Sequence, residues 1–362
     1  YDERNETVLN VFYLDFVLIH VVVYKISHNR SAVFSYMDYL AICGSKKLCK
    51  RKGAQKFLKR YFGILGLSFL LVACGDDEAS TNEENKGNVV ATTGQIADAV
   101  KVISGEHLAV TTLMGPGVDP HLYKATQSDL TKLDNAEVIF YNGLHLEGQM
   151  QDIFDQMVEE KTVLAVAENL DENKLLEDEE DATLHDPHVW FDIDLWKEVV
   201  DVIGDTLVEE YPNHKEEFEA NEATYLAKLD ELKEYTAGRI VEIPSTQRIL
   251  VTAHDAFNYF GESHGFDVRG LQGLSTDSEY GVKDVQNMVD FLVENNIKAI
   301  FVESSVSDKA MNAVIEGAKE KGHDIVIGGE LFSDAMGAEG TEEGTYLGMY
   351  KHNVDTIVDS LK

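Results

Sequence analysis

Four short segments of the chain carry side chains that bind metal ions in proteins. They are GVDPHLY around His121, HDPHVW around His188, TAHDAF around His254 and LFSDAMG around Asp334. Each segment lies at or just beyond the carboxyl end of a predicted strand, which is the edge where open α/β sheets bind ligands. Three imidazoles and one carboxylate brought together there would form a site for a divalent transition-metal ion.

Taken singly, each of these residues is a weak indication of a metal site. A lone histidine in a loop is more often a surface or hydrogen-bonding residue than a ligand. The Asp-Pro pairs before His121 and His188 would hold the rings rigidly, but they are also ordinary turn sequences. Spacings of 67, 66 and 80 residues match no local metal motif. Spacing alone therefore leaves a metal site and unrelated loop histidines both open.

Alternating strands and helices after residue 88 must position these segments. Apolar runs predict strands at 89–93, 108–113, 137–141, 163–166, 248–253, 298–302 and 324–327. Helical patterns lie between them at 94–104, 128–135, 195–210, 282–295 and 308–321. Continuous apolar runs are typical of parallel strands that are covered on both faces. Because the alternation occurs twice, the sequence predicts an α/β protein with two lobes, each built on a parallel sheet.

Residues 212–239 form the longest uninterrupted helical pattern in the chain. Pro212 suits a first helical turn. An apolar stripe recurs at near-heptad spacing through Phe218, Tyr225, Leu229 and Leu232. We predict a rigid helix that joins the two lobes; the alternative is a helical hairpin that belongs to one of them.

Charge is distributed very unevenly along the 362 residues, whose formal net charge is -34. Residues 1–73 hold 11 Lys and Arg against 5 Asp and Glu, whereas the remainder holds 20 against 60. The acidic balance argues against nucleic acid as a partner, because binding a duplex requires a basic face. So sharp a change in composition usually separates a targeting segment from a folded body.

The amino-terminal part has the order of a lipoprotein signal. Residues 46–60 are basic and residues 61–72 are almost wholly apolar, and Ala73 and Cys74 follow. The apolar run is too short to span a bilayer comfortably, and residues 71–74 (LVAC) resemble the bacterial lipobox. We predict that Cys74 is lipidated; the alternative is a buried helix in which Cys74 packs as a small hydrophobe.

These patterns predict six regions. We expect residues 1–45 to be an upstream extension outside the translated protein, residues 46–73 to be the signal peptide, and residues 74–87 to be a lipidated, flexible tether. The folded body then comprises a first lobe (88–211), a linking helix (212–240) and a second lobe (241–362).

Seven segments together resemble one protein family. They are VDPHLYKATQSD, NGLHLE, DPHVWFD, AHDAFNYFG, QGLSTDSEYG, FVESSVS and GGELFSDAMG. In this order across residues 88–362, the chain resembles the solute-binding lipoproteins of zinc and manganese ABC importers, the TroA-like group. The resemblance implies two α/β lobes joined by one helix, with one Mn(II) or Zn(II) ion in the cleft between them. His121, His188, His254 and Asp334 stand at the four ligand positions of the family, and Glu303 and His145 are candidates to support them.

The resemblance also implies partners. No segment of the body is long and apolar enough to cross a membrane, and the chain has no Gly-x-x-x-x-Gly-Lys motif to bind ATP. We therefore expect a separate ABC permease and ATPase, a monomeric receptor held on the extracytoplasmic face by the lipid on Cys74, and no enzymatic activity. The alternatives are a metal-dependent hydrolase, although no His-Glu-x-x-His helix is present, and a surface adhesin, suggested only by the anchor and the acidic surface.

Two further expectations concern the ion. The acidic stretch 171–181 lacks the histidines that zinc receptors of this family often carry there, which favours manganese, whereas intrinsic affinity favours zinc. The long helix has no internal proline to bend at. We therefore expect modest closure on binding and release by local rearrangement near His254 or Asp334.

Overall fold

The structure, a computed structural model, describes residues 86–178, 183–278 and 280–362, which lie within one compact unit. The predicted extension, the signal peptide and Cys74 lie outside the described residues. Within the described part, no helix combines the length and the apolar character that crossing a membrane requires.

The first half of the body is built on a parallel four-stranded sheet. Its strands are β1 (Gly87–Ala91), β2 (Leu108–Thr112), β3 (Val138–Tyr141) and β4 (Thr162–Ala165), in the spatial order β2-β1-β3-β4. Helices α1 (Gly94–Ser104), α2 (Gln127–Asn135) and α3 (Gln151–Met157) connect them. All four residues of β3 are buried, as expected for a central strand covered on both faces.

Two long helices follow the first sheet: α4 (Ile193–Glu210) and α5 (Lys215–Ile240). The 26 residues of α5 extend about 39 Å. The helix begins three residues later than predicted, because Pro212–His214 forms a separate 3-10 turn. The predicted apolar stripe is confirmed: Phe218, Tyr225, Leu229 and Leu232 are all buried.

The second half is built on two pairs of parallel strands. Strands β5 (Ile249–His254) and β6 (Asp267–Gln272) pair in parallel, as do β7 (Ala299–Glu303) and β8 (Val326–Leu331). Strand β5 also lies beside β7, but the two pairs form separate two-stranded sheets. The helices are α6 (Asn258–His264), α7 (Val282–Glu294), α8 (Lys309–Glu320) and α9 (Tyr346–Leu361).

The α/β class and the parallel strands are confirmed, but four elements were not predicted. Strand β6 contains two charged residues and Gly270, which weaken its strand pattern. Helices α3 and α6 have only seven residues each, too few for a clear period. The 16-residue α9 is the longest of the four, and its buried residues, including Met349, Val354 and Ile357, recur at helical spacing.

Helix α5 packs against helices of both halves of the body. It packs against α1 and α4, and it also reaches α9, where Tyr235 and Arg239 donate to Asp355 at 2.6 and 2.8 Å. The largest apolar cluster includes Trp190 and Trp196 from the first half together with Tyr346 and others from α9. The two halves therefore share this cluster, and each also has a smaller one of its own.

Replacing Leu229 with alanine should lower the free energy of unfolding by about 2–5 kcal/mol, because the side chain is fully buried between α5 and its neighbours. Chemical denaturation followed by circular dichroism measures the change. Lys228→Ala, on the exposed side of the same helix turn, is the matched control. Equal stability of the two variants would contradict this packing of α5.

Candidate metal centre

The structure brings His121, His188, His254 and Asp334 together. One potential ligand atom from each lies within 4.8 Å of the others. The Nε2 atoms of His188 and His254 lie 3.3 and 3.4 Å from the carboxylate oxygens of Asp334, and Nε2 of His121 lies 3.9 Å away. Four segments spread over more than 200 residues of sequence thus converge on one point.

The four residues reach this point from different elements. His121 lies in the loop between β2 and α2, His254 is the last residue of β5, and Asp334 follows β8 by three residues. We expected His188 to follow a strand, but no strand directly precedes it. It immediately precedes the 3-10 turn Val189–Phe191, which leads into α4.

The atoms that face one another in the cluster are buried and have no hydrogen-bond partner. His188 and His254 are completely inaccessible to solvent, and His121 and Asp334 are almost so. The three Nε2 atoms and both carboxylate oxygens of Asp334 form no hydrogen bond. Burying polar atoms without partners is costly. Five such atoms around one point form an arrangement that a cation would satisfy.

The donor set indicates which cations would fit. Imidazole nitrogen and carboxylate oxygen are ligands for zinc and for other divalent first-row metals, and the cluster contains no sulfur. The residues present therefore suit one transition-metal ion such as Zn(II) or Mn(II).

Two of the imidazole rings are hydrogen-bonded to buried carboxylates. Asp186 accepts from Nδ1 of His188 at 2.7 Å, and Glu303 accepts from Nδ1 of His254 at 2.5 Å. Each carboxylate also accepts from the backbone N–H of its histidine at 2.9 Å. A carboxylate at Nδ1 favours the tautomer that leaves Nε2 as a lone pair, and it makes that nitrogen a stronger ligand.

These carboxylates control the charge of the site. Burial lowers the pKa of His188, but Asp186 and Asp334 more than offset it and raise the pKa to about 9. Burial acts likewise on His254, and Glu303 and Asp334 raise its pKa well above the usual value. Burial lowers the pKa of His121 to about 3, since no carboxylate pairs with its ring as closely. The site therefore attracts positive charge, as protons or as a metal dication.

Asp186 and Asp119 were not predicted as site residues. Each precedes a ligand candidate by two positions, and each accepts that histidine's backbone N–H at 2.9 Å. The repeated Asp-Pro-His sequence was the available signal. We interpreted it as turn chemistry, and the structure shows which atoms form the turn.

Glu303 lies at the end of β7 and pairs with the ring of His254, whereas His145 makes no such contact within the described residues. His145 has a positive φ of 63° and an exposed side chain, and within the described residues it forms no hydrogen bond or ring contact with the four groups. The buried carboxylate of that segment is Glu147, which accepts from Thr92 Oγ1 at 2.6 Å and from Asn142 N at 2.8 Å. Asn142 in turn donates to the Pro187 carbonyl at 3.0 Å, beside His188.

One sequence pattern of hydrolases does occur in the chain, at residues 261–265 (GESHG). In such enzymes the serine of Gly-x-Ser-x-Gly sits on a sharp turn between a strand and a helix. Here Ser263 lies within α6, and its hydroxyl donates to Asp192 at 2.7 Å. The pattern therefore does not form a nucleophile elbow.

Comparisons with known proteins agree with this fold. The family described as the periplasmic component A of the zinc-uptake complex, ZnuA, matches residues 89–360. The manganese-binding lipoprotein MntA of Bacillus subtilis is 54% identical over 299 residues, covering 83% of this chain and 97% of that protein. The zinc-binding protein TroA of Treponema pallidum is 45% identical over 289 residues, covering 80% and 92%. The solved structure of this periplasmic TroA superposes with a TM-score of 0.75 at 46% identity, covering 76% of this chain and 99% of that chain.

Replacing Glu303 with alanine should lower the free energy of unfolding by about 3–5 kcal/mol, because it leaves the buried His254 without its charged partner. Urea denaturation of the metal-free protein measures the change. Glu330→Ala, an exposed glutamate on the neighbouring strand β8, should change stability little. A Glu303→Ala protein as stable as this control would show that the carboxylate does not support the site.

Proposed function

Because this chain belongs to the family of the periplasmic zinc-uptake component ZnuA, we propose that it is an extracytoplasmic receptor that captures Mn(II) or Zn(II) and delivers the ion to an ABC importer. The observation that carries the proposal is the buried cluster of three imidazoles and one carboxylate whose facing atoms have no hydrogen-bond partner.

In this proposal His121, His188, His254 and Asp334 bind one ion per chain. Asp186 and Glu303 orient two of the rings and keep their Nε2 atoms free. Capture of a dication suits a site where buried carboxylates outnumber fixed positive charges, since the ion replaces protons that the imidazoles would otherwise hold.

Both Mn(II) and Zn(II) remain candidate cargoes. The two relatives compared above are named for manganese and for zinc. The histidine-free acidic stretch favours manganese, and the general order of affinities favours zinc. Elemental analysis of protein purified without added metal, followed by competition between the two ions, distinguishes them.

A receptor fits the site better than a metallohydrolase. A catalytic zinc keeps one coordination position open for water. Here four protein side chains face the same point, and all four are buried. We propose that the chain has no hydrolytic activity; metal-dependent hydrolysis of an ester would support the enzyme instead. Matrix binding that does not depend on metal would support an adhesin.

The proposal extends to partners and location. The described residues include no helix able to cross a membrane, so an importer would require a separate permease and ATPase. Related proteins are named lipoproteins, which supports a lipid anchor on Cys74 and a place on the outer face of the cell membrane. We propose a monomer with the predicted signal peptide, tether, first lobe, linking helix and second lobe.

Saturating Zn(II) or Mn(II) should raise the melting temperature by several degrees, because a ligand at 100 times its Kd stabilises the native state by about 2.7 kcal/mol. His121→Ala, His188→Ala or His254→Ala should weaken binding more than about 100-fold, since even residues that only support ligands change affinity by about 10- to 100-fold. Calorimetric titration measures these affinities.

His145→Ala is the matched control for these substitutions. Its side chain is exposed and lies outside the cluster, so affinity should stay within about twofold of the natural chain's. Absence of a thermal shift with either ion would refute the metal receptor.

Cys74→Ser should release the protein from cells into the medium, because removing the lipidated thiol removes the anchor. Immunoblots of membrane and culture fractions measure the distribution. Cys49→Ser, at the cysteine that precedes the apolar run, should leave the protein on the membrane. Retention of the Cys74→Ser protein would show that another segment holds it there.

A further inference from the structure

The loop that carries Asp334 is held through its backbone. Both carboxylate oxygens of Asp334 are without a hydrogen-bond partner. Its carbonyl, however, accepts from Nε2 of Gln95 at 3.2 Å, and the same Nε2 donates to the Ser333 carbonyl at 3.4 Å. Trp190 Nε1 also donates to the Ser333 carbonyl, at 3.1 Å. Side chains of the first half therefore hold the backbone at the one carboxylate of the cluster.

The two histidine turns of the first half are tied to the second half in the opposite sense. There the first half supplies the acceptor. Asp119 accepts from Thr276 Oγ1 at 2.6 Å. Asp186 accepts from Asn258 Nδ2 at 3.2 Å. Gln95 instead supplies a donor from the first half, and the acceptor is a carbonyl of the ligand residue itself. A side chain of the first half thus sets where a ligand of the second half lies.

Helix α1, which carries Gln95, is itself fixed against the second half. Asp98, one turn further along the helix, accepts the backbone N–H of Tyr346 at 3.0 Å. Lys101 pairs with Glu339 at 2.9 Å. Gln95, Asp98 and Lys101 follow one another at intervals of three residues, so they lie on the same side of the helix. Because these contacts anchor α1, the Gln95 amide has a fixed position against the loop.

The Gln95 side chain lies in an unusual environment for an amide. It is completely buried, and its Oε1 has no hydrogen-bond partner, which is unfavourable in a protein interior. Methionine has a similar length and no amide. Replacing Gln95 with methionine would remove the unpaired Oε1 and would take one donor away from the Asp334 carbonyl. These two effects on the free energy of unfolding oppose each other, so the contact can be removed with little change in stability.

The position of the Asp334 backbone determines how its carboxylate faces the rings. One oxygen lies 3.3 Å from Nε2 of His188, and the other lies 3.4 Å from Nε2 of His254. Each oxygen therefore faces a different ring, and an ion in the cluster can bind both oxygens. Zn(II) is most often four-coordinate, which three imidazoles and a single oxygen satisfy, whereas Mn(II) favours more ligands and more oxygen. Holding both oxygens toward the rings thus favours Mn(II).

We propose that Gln95 is a specificity-determining residue: by holding the Asp334 backbone, it keeps both carboxylate oxygens toward the rings and raises the affinity for Mn(II) relative to Zn(II). This inference rests on the proposed function, since it concerns the same metal site. Gln95 contacts the backbone of a ligand residue and none of the ligand atoms, so it acts as a positioning residue.

The test compares the natural full chain with Gln95→Met and Gln95→Asn. Methionine lacks the donor, and asparagine keeps the amide but is one methylene too short to reach the Asp334 carbonyl. The Kd values for Mn(II) and for Zn(II) are measured separately, by equilibrium competition with a chelator. Since one hydrogen bond is lost, we expect each variant to bind Mn(II) about tenfold more weakly and Zn(II) within about threefold of the natural chain's Kd.

Co(II) gives an independent reading of the coordination. Its visible absorption is more intense in four-coordinate sites than in sites with five or six ligands. The Co(II) spectrum of Gln95→Met should therefore be more intense than that of the natural chain.

Lys101→Met is the matched control for the Gln95 variants. It removes another contact between the halves on the same side of α1, and it does not touch residues 333 or 334. Both affinities and the Co(II) spectrum should stay as in the natural chain. Thermal melts of the metal-free proteins, which we expect to lie close together, show that a change in the ratio of affinities does not come from unfolding.

An unchanged ratio of the two affinities in both Gln95 variants would overturn the proposal. An equal loss of affinity for Mn(II) and Zn(II) would overturn it as well, because Gln95 would then support the loop without selecting between ions. Either result differs from failure of the proposed function, in which the natural chain itself binds neither ion.

Discussion

Five buried polar atoms that face one another without a hydrogen-bond partner are the constraint on which this structure depends. Three belong to imidazole rings and two to Asp334, and they come from four distant segments of the chain. Unpaired polar atoms in a protein interior are unfavourable unless a ligand completes them. Folding therefore has to supply enough stability elsewhere to hold this cluster together, and binding a cation returns part of that stability.

The second layer of carboxylates makes the cluster suitable for a dication. Asp186 and Glu303 come from opposite halves of the body, and each pairs with the Nδ1 atom of one ring. Their negative charge raises the affinity of His188 and His254 for positive charge, whereas burial, together with the charges of His188 and His254, lowers the pKa of His121. The three imidazoles are thus chemically unequal, and His121, which carries a proton least readily, is also the one nearest to solvent.

The shared core explains why such a site would work by small movements. Tyr346 and Tyr350 of the second half donate to the Trp190 and Phe191 carbonyls at 2.7 and 3.0 Å, directly beside the His188 turn. Helix α5 contacts α1 and α4 of the first half and α9 of the second. Wide separation of the halves would expose these buried aromatic residues to water, which is unfavourable. Movements confined to the ligand loops avoid that cost.

The sequence by itself determined the repeated strand–helix order, the long helix with its apolar stripe and, through resemblance to a family, the four residues of the cluster. Such features are visible because they depend on local periodicity or on short motifs. Tertiary structure alone decided that Asp119 and Asp186 join the two halves, that Glu147 rather than His145 is buried and bonded to Asn142, which contacts the His188 turn, and that the largest hydrophobic cluster spans both halves. These contacts pair residues far apart in the chain, and their geometry exists only when the sheets and helices have packed, so no local pattern encodes them.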